Sequence, residues 1–109
     1  RTMVLPESLQ DAATAVSGSG PAYVCYLAEA MIEAGVQLGL TRGQATELVV
    51  GTIEGSGELL AGGQHPTLLR ESVTSPGGTT AAAIRQLDAH GVRGAVSDAL
   101  WAAHDRSRG

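Results

Sequence analysis

The stretch that decides the fold is Pro21-Ala22-Tyr23-Val24-Cys25-Tyr26-Leu27-Ala28-Glu29-Ala30-Met31-Ile32-Glu33-Ala34-Gly35-Val36-Gln37-Leu38. Val24, Leu27, Ala28, Met31, Ile32, Gly35 and Leu38 recur at the i, i+3, i+4, i+7 spacing of an α-helix. The remaining surface is almost as apolar. Tyr23, Cys25, Tyr26, Ala30, Ala34 and Val36 carry no charge, and only Glu29, Glu33 and Gln37 form a polar stripe. A helix of this kind needs cover on most sides. A helical domain of 109 residues has difficulty supplying that cover alone. The stretch therefore predicts both a helix and a homo-oligomer. Pro21 suits the first turn, where its missing N–H costs nothing, and Gly39 is placed to end the helix.

Glycine and proline divide the rest of the chain into five more helical segments. The first is expected from about Glu7 to Val16, broken by Ser17-Gly18-Ser19-Gly20. Thr41-Arg42-Gly43-Gln44 has the form of a capping box and opens a helix to about Ala61. Leu48, Val49, Thr52, Ile53, Leu59 and Leu60 should face inward on it, and Glu47, Glu54 and Glu58 outward. Gly51, Gly55 and Gly57 lie inside this helix, each costing about 1 kcal/mol against Ala, which suggests another backbone passing very close or a kink. A short helix follows from Pro66 to Val73, another from Thr80 to Ala89, and the last from Val92 to Arg106. No run shows the period-2 alternation of a strand, so the fold class is all-α with about six helices.

Composition narrows the function classes. The chain has seventeen Ala and fifteen Gly but only three aromatic residues, Tyr23, Tyr26 and Trp101. Such a core is thin, and small residues let helix backbones approach closely. The net charge is −4, and the seven basic residues are all Arg without a cluster, which excludes an evident nucleic-acid surface. No apolar run reaches the roughly 20 residues that span a bilayer, and no signal peptide is expected. The single cysteine, Cys25, is expected to be a buried free thiol in a reducing cytoplasm.

Two Ser/Gly/Pro turns precede helices: Ser17-Gly18-Ser19-Gly20-Pro21 and Thr74-Ser75-Pro76-Gly77-Gly78-Thr79-Thr80. A helix start offers unpaired N–H groups and partial positive charge, hydroxyls add donors, and glycine admits a ligand to the backbone. A small carboxylate would fit such a cradle without a basic residue. Taken alone, the residue types fit a simple cap by Ser75 or Thr79 better. Neither turn is a phosphate loop of the GxxxxGK[ST] kind, and GxGxxG is not completed. His65, His90 and His104 share no ligand spacing, so no metal is expected. His65 reads as a loop residue, His104 as part of an exposed face, Glu29 and Glu33 as a solvated stripe, and Trp101 as a core or interface residue.

Read together, the turns carry a resemblance. Asp11-Ala12-Ala13-Thr14-Ala15-Val16-Ser17-Gly18-Ser19-Gly20-Pro21-Ala22-Tyr23 resembles the start of the C-terminal domain of pyrroline-5-carboxylate reductases. Glu71-Ser72-Val73-Thr74-Ser75-Pro76-Gly77-Gly78-Thr79-Thr80-Ala81-Ala82-Ala83-Ile84-Arg85-Gln86-Leu87 resembles that family's signature, and Glu33 to Leu40 is similar as well. The resemblance runs from about Pro6 to Arg106. It implies an interleaved dimerisation domain like the C-terminal domain of 6-phosphogluconate-dehydrogenase-like reductases. It implies reduction of 1-pyrroline-5-carboxylate to proline with NADPH or NADH, the last step of proline synthesis, and a homodimer that often assembles further into a decamer. By this resemblance Ser75, Gly78, Thr79 and Thr80 hold the substrate carboxylate. Thr80 also lies near the ring nitrogen, and Pro21 and Ala22 border the nicotinamide. Thr79 replaces the small apolar residue of many relatives, a change that a backbone contact should survive.

The resemblance further implies an N-terminal Rossmann domain, for which no strand–GxGxxG–helix unit is seen here. The whole of 1–109 then reads as a single C-terminal domain of a longer reductase, inactive by itself. Two other readings stay open: a non-catalytic helical oligomerisation module whose turns are only caps, and the helical domain of another small-acid dehydrogenase.

Overall fold

The computed structural model of the chain describes residues 3–74 and 78–108. They form α1 (Gln10–Ala13), α2 (Gly20–Gln37), α3 (Arg42–Ala61), α4 (Pro66–Ser72), α5 (Thr79–Ala89) and α6 (Val92–Arg108), with no strand among the described residues. Five of these are full helices at the expected places. The first expected helix is composite: α1 is a single turn, with a 3₁₀ turn at Glu7–Leu9 before it and a π-type turn at Thr14–Gly18 after it. The chain is all-α. No helix of the described residues is long and apolar enough to cross a membrane.

The chain divides into two compact units. One is Cys25–Gln86. Here the end of α2 turns into the start of α3 through local signals alone. Gly39 takes φ +111°, its N–H donates to Val36 O at 3.0 Å, and Leu40 N–H donates to Gly35 O at 3.1 Å. This closes the helix with a left-handed residue that only glycine adopts cheaply. Thr41 Oγ1 then accepts from Gln44 N–H while Gln44 Oε1 accepts from Thr41 N–H, both at 3.0 Å, so the capping box is complete.

This corner brings α2 and α3 together at their smallest residues. A Cβ placed on Gly35 would lie 3.1 Å from Ala45 Cβ and 3.5 Å from Leu40 Cδ1. Ala45 is 1% exposed and Val49, one turn on, is also buried. At the far end of α3, Gly63 takes φ +98° and Gln64 N–H donates to Leu59 O at 3.2 Å. His65 proves to be more than a loop residue: its Nδ1 accepts from Thr67 N–H at 3.2 Å and caps α4, with Pro66 in the first turn.

The other unit is Arg1–Val24 with Leu87–Gly109. α6 packs along α1 and the π-type turn, and Ala15, 3% exposed, is its buried centre. Ser107 Oγ donates to Asp11 Oδ1 at 2.9 Å across this contact.

Among the described residues only Ala15, Ala45 and Val49 are buried. Leu48, expected to face inward, is 60% exposed, and Leu59 and Leu60 are also exposed. The glycines of α3 behave differently from Gly35. A Cβ on Gly51, Gly55 or Gly57 would meet nothing within 4 Å, and α3 runs unbroken past all three. Among the described residues no backbone makes the close approach that their spacing suggests.

The Gly35 contact makes a direct prediction. Gly35→Val should lower stability by about 1–3 kcal/mol, because it forces extra methyl groups into the α2–α3 crossing. Urea unfolding at fixed protein concentration measures this. A change below about 0.5 kcal/mol, typical of surface substitutions, would show that the crossing relaxes freely.

Candidate functional site

The two turns singled out by the sequence are built differently. At the second, Gly78 is a half-buried bend residue immediately before α5, and Thr79 and Thr80 are the first two residues of that helix. The first regular helical bond runs from Ala82 N–H to Gly78 O at 3.3 Å. The N–H groups of Thr79 and Thr80 precede it, so the helix itself offers them no acceptor. Thr79 is exposed and Thr80 half-buried. Ser75, Pro76 and Gly77 lie outside the described residues, and so does the role expected of Ser75. On the upstream side Thr74 Oγ1 donates to Arg70 O at 2.7 Å, which commits that hydroxyl to closing α4. Gly78, Thr79 and Thr80 are thus brought together at one helix start, where N–H donors, hydroxyls and the helix dipole can converge on an anion.

At the first turn the break falls at Ser19 alone, shorter than expected. Ser19 N–H reaches back five residues to Thr14 O at 3.0 Å, and α2 already starts at Gly20. The expected hydroxyl donors are partly spent on the backbone. Ser17 Oγ donates to Ala13 O at 2.9 Å, and Thr14 Oγ1 donates to Gln10 O at 3.0 Å. Pro21 and Ala22 sit in the first turn of α2, and Ala22 N–H donates to Ser19 O at 3.0 Å. Both are exposed, and a Cβ on Gly20 would meet nothing within 4 Å, so this turn presents an open backbone face. Pro21 and Ala22 belong to one compact unit, and Gly78, Thr79 and Thr80 to the other.

One participant was not read from the sequence. Tyr23 Oη donates to Ala15 O at 2.9 Å. In a regular helix the Ser19 N–H would serve that carbonyl, but here it is taken by Thr14 O. Ala15 is buried, so its carbonyl needs another donor. A hydroxyl-bearing aromatic just after the glycines is the only signal in the sequence, and it does not reveal a π-type turn. Insertions of this kind are frequent at functional sites.

Other candidates are resettled. Cys25, expected to be buried, is exposed, because the apolar run that contains it is not covered within the chain. His104, expected on an exposed face, has a side chain only 23% exposed. It stands edge-on to Trp101 with ring centroids 5.3 Å apart and lines an apolar recess of about 190 Å³ with Ala12, Ala15, Val16 and Leu100. Trp101 itself is 62% exposed and is not a core residue of this chain. Glu33 pairs with Arg42 at 3.1 Å, an exposed contact worth little to stability. Among the described residues no three His, Cys, Asp or Glu side chains gather as metal ligands.

An all-helical chain with small-residue crossings, uncovered apolar helices and a glycine-threonine helix start has the character of a domain that pairs with others of its kind. Comparison gives that class a family. The family model for pyrroline-5-carboxylate reductase dimerisation matches residues 7–109, and the chain belongs to that family. It is 51% identical over 102 residues to the pyrroline-5-carboxylate reductase of Corynebacterium melassecola, covering 93% of this chain and 38% of that protein. The fold is similar to the pyrroline-5-carboxylate reductase of Coxiella burnetii, with a TM-score of 0.91 and 42% identity over 96% of this chain and 39% of that one. It is also similar to the Plasmodium falciparum pyrroline carboxylate reductase solved with NADP bound, with a TM-score of 0.89 and 39% identity over 94% and 40% of the two chains. The chain therefore spans about two fifths of the length of the proteins it matches.

Tyr23 gives the site a stability test. Tyr23→Phe keeps the ring and leaves the Ala15 carbonyl without its donor, so unfolding free energy should fall by about 1–3 kcal/mol. Urea unfolding against the parent measures the loss, and an unchanged midpoint would show that water replaces the hydroxyl.

Proposed function

We propose that this chain is the dimerising, substrate-binding part of a pyrroline-5-carboxylate reductase, an NAD(P)H-dependent oxidoreductase that reduces 1-pyrroline-5-carboxylate to L-proline, the last step of proline biosynthesis. The observation that carries this reading is the family match over residues 7–109, which contains both turns in order. The chain is then the C-terminal helical domain of a longer, cytoplasmic enzyme whose Rossmann domain holds most of the nucleotide. By itself it should not turn over.

In this reading the start of α5 binds the substrate carboxylate. Ser75 and Thr80 supply hydroxyls, and the backbone N–H groups of Gly78, Thr79 and Thr80 supply the remaining donors. The reduced nicotinamide, when bound, supplies the hydride that adds to the C=N carbon. Thr80 holds its hydroxyl near the ring nitrogen, where it can donate a hydrogen bond as the nitrogen gains a proton. The exposed Pro21-Ala22 turn, with open space at Gly20, suits a flat ring lying against backbone. Neither turn adds a charge to the reaction, so this domain's share of catalysis is orientation of donor and acceptor.

The partner in this reading is a second copy of the chain, in a homodimer that can build further into a decamer. Support comes from the exposed apolar surface of α2 and α3, where Tyr26 is 75% exposed and Val24, Leu27, Leu48 and Val50 are also uncovered. Gly51, Gly55 and Gly57 have room for a second backbone.

The first test is NADPH oxidation driven by pyrroline-5-carboxylate in the protein that carries this chain with its nucleotide-binding domain. Thr80→Ala should slow reduction roughly ten- to hundredfold, the usual worth of a hydrogen bond to a charged group. Equal activity would leave Thr80 as a first-turn residue of α5 with no part in the reduction. An inactive parent that reduces another imino or oxo acid would move the chain to a different dehydrogenase.

Assembly is tested through Cys25. Its alkylation should slow at least about tenfold on going from dilute to concentrated protein, as mass action buries the face it lies on. A rate independent of concentration, together with a monomer mass by sedimentation, would overturn the dimer.

A further inference from the structure

We infer that Tyr23 is a positioning residue: its hydroxyl fixes the shape of the Ser19-Gly20-Pro21-Ala22 turn, and through that turn the seat of the nicotinamide ring. The second half of this statement rests on the reading above, in which Pro21 and Ala22 border the nicotinamide. The first half rests on hydrogen bonds alone. A π-type turn shifts the donor of Ser19 from Ala15 O to Thr14 O, with Ser19 N–H to Thr14 O at 3.0 Å. That leaves the carbonyl of a residue that is 3% exposed without its regular partner.

Tyr23 Oη replaces that partner at 2.9 Å. Tyr23 lies in the first turn of α2, directly after Pro21 and Ala22. One side chain therefore ties the helix start to the backbone it has just left, with the Ser19–Ala22 turn held between the two anchored ends. The Ala22 N–H to Ser19 O bond at 3.0 Å closes the loop so formed. Without the hydroxyl, the Ala15 carbonyl has no compensating donor, and the turn loses one of its anchors and opens more often. Opening would loosen Pro21 and Ala22, which lie between the two anchored ends.

Ser17 offers the control. Its hydroxyl lies in the same turn but only doubles a bond to Ala13 O at 2.9 Å, on an exposed surface. Losing it leaves no buried group unpaired, so Ser17→Ala should behave like the parent.

The test uses the protein carrying this chain, with Tyr23→Phe and Ser17→Ala variants, and has two readouts. The first is amide hydrogen exchange, which needs no activity. In Tyr23→Phe the Ser19 and Ala22 amides should exchange at least about tenfold faster, while the Ala45 amide, bonded to Thr41 O in the other unit, keeps its rate. Unchanged protection at Ser19 and Ala22 overturns the inference whatever the kinetics show. The second readout is steady-state kinetics. KM for the nicotinamide cofactor should rise about five- to tenfold in Tyr23→Phe with KM for pyrroline-5-carboxylate within about twofold of the parent. Equal rises in both constants, or none, overturn a role toward the nicotinamide. If the parent does not reduce pyrroline-5-carboxylate, the functional reading has failed, and the exchange result still decides whether Tyr23 holds the turn.

Discussion

The constraint behind this structure is the shortage of cover for its own apolar surface. α2 and α3 are the longest helices and the most apolar, yet Ala45 and Val49 are their only buried residues among those described. Burial of apolar area is the main favourable term in folding, at about 25 cal/mol per Å², and little of it is realised inside a single copy. The contact that is realised depends on the absence of side chain. Gly35 lets Ala45 approach to a distance that leaves no ordinary room for another methyl. Because so little packing is available, the local signals carry unusual weight: the left-handed Gly39, the Thr41–Gln44 box and the His65 cap each fix a helix end with hydrogen bonds instead of bulk. A second copy, as the proposed function requires, would complete the missing half of the core.

This division of labour explains which parts of the fold were legible. Helix ends were readable because their causes are local. Thr41 and Gln44 are three residues apart, and the bonds they make are the ones their types predict. The start and stop of α3 and the starts of α4 and α6 follow from proline, glycine and caps in the same way. Burial was not readable, because it depends on what covers a face. Cys25 sits in an apolar run and is nevertheless exposed, while His104, in a more polar helix, is sheltered beside Trp101. Leu48 has the right spacing to face inward, but none of the described residues covers it.

The candidate site divides along the same line. Gly78, Thr79 and Thr80 were legible as a helix start because glycine and threonine before an alanine run can do little else, and that is where they lie. Ser17-Gly18-Ser19-Gly20 was legible only in part, because glycine-rich stretches are read as breaks and the break at Ser19 follows a π-type turn. An insertion of one residue also needs small side chains, and Gly18 has Thr14 Cγ2 only 3.3 Å from where its Cβ would be. The carbonyl that the insertion leaves over is served by Tyr23, eight residues away. No periodicity or cap rule reports a side chain of one helix completing the hydrogen bonding of the turn before it.

The electrostatics of the proposed site follow from the same economy of side chains. A chain of net charge −4 is a poor general attractor of a carboxylate, and no basic residue stands in either turn. A helix start avoids this difficulty because its positive character is local. It comes from N–H dipoles within the first turn and falls off before the rest of the chain is felt. Backbone donors also keep their geometry when side chains change, which under the proposed function fits Thr79 at a position where only a backbone contact is required. Under the proposed function, a small anion would be held by direction more than by charge. Holding by direction demands that both turns be stiff, and at the first of them the tie inferred to supply this is the hydrogen bond from Tyr23 Oη to the carbonyl of the buried Ala15.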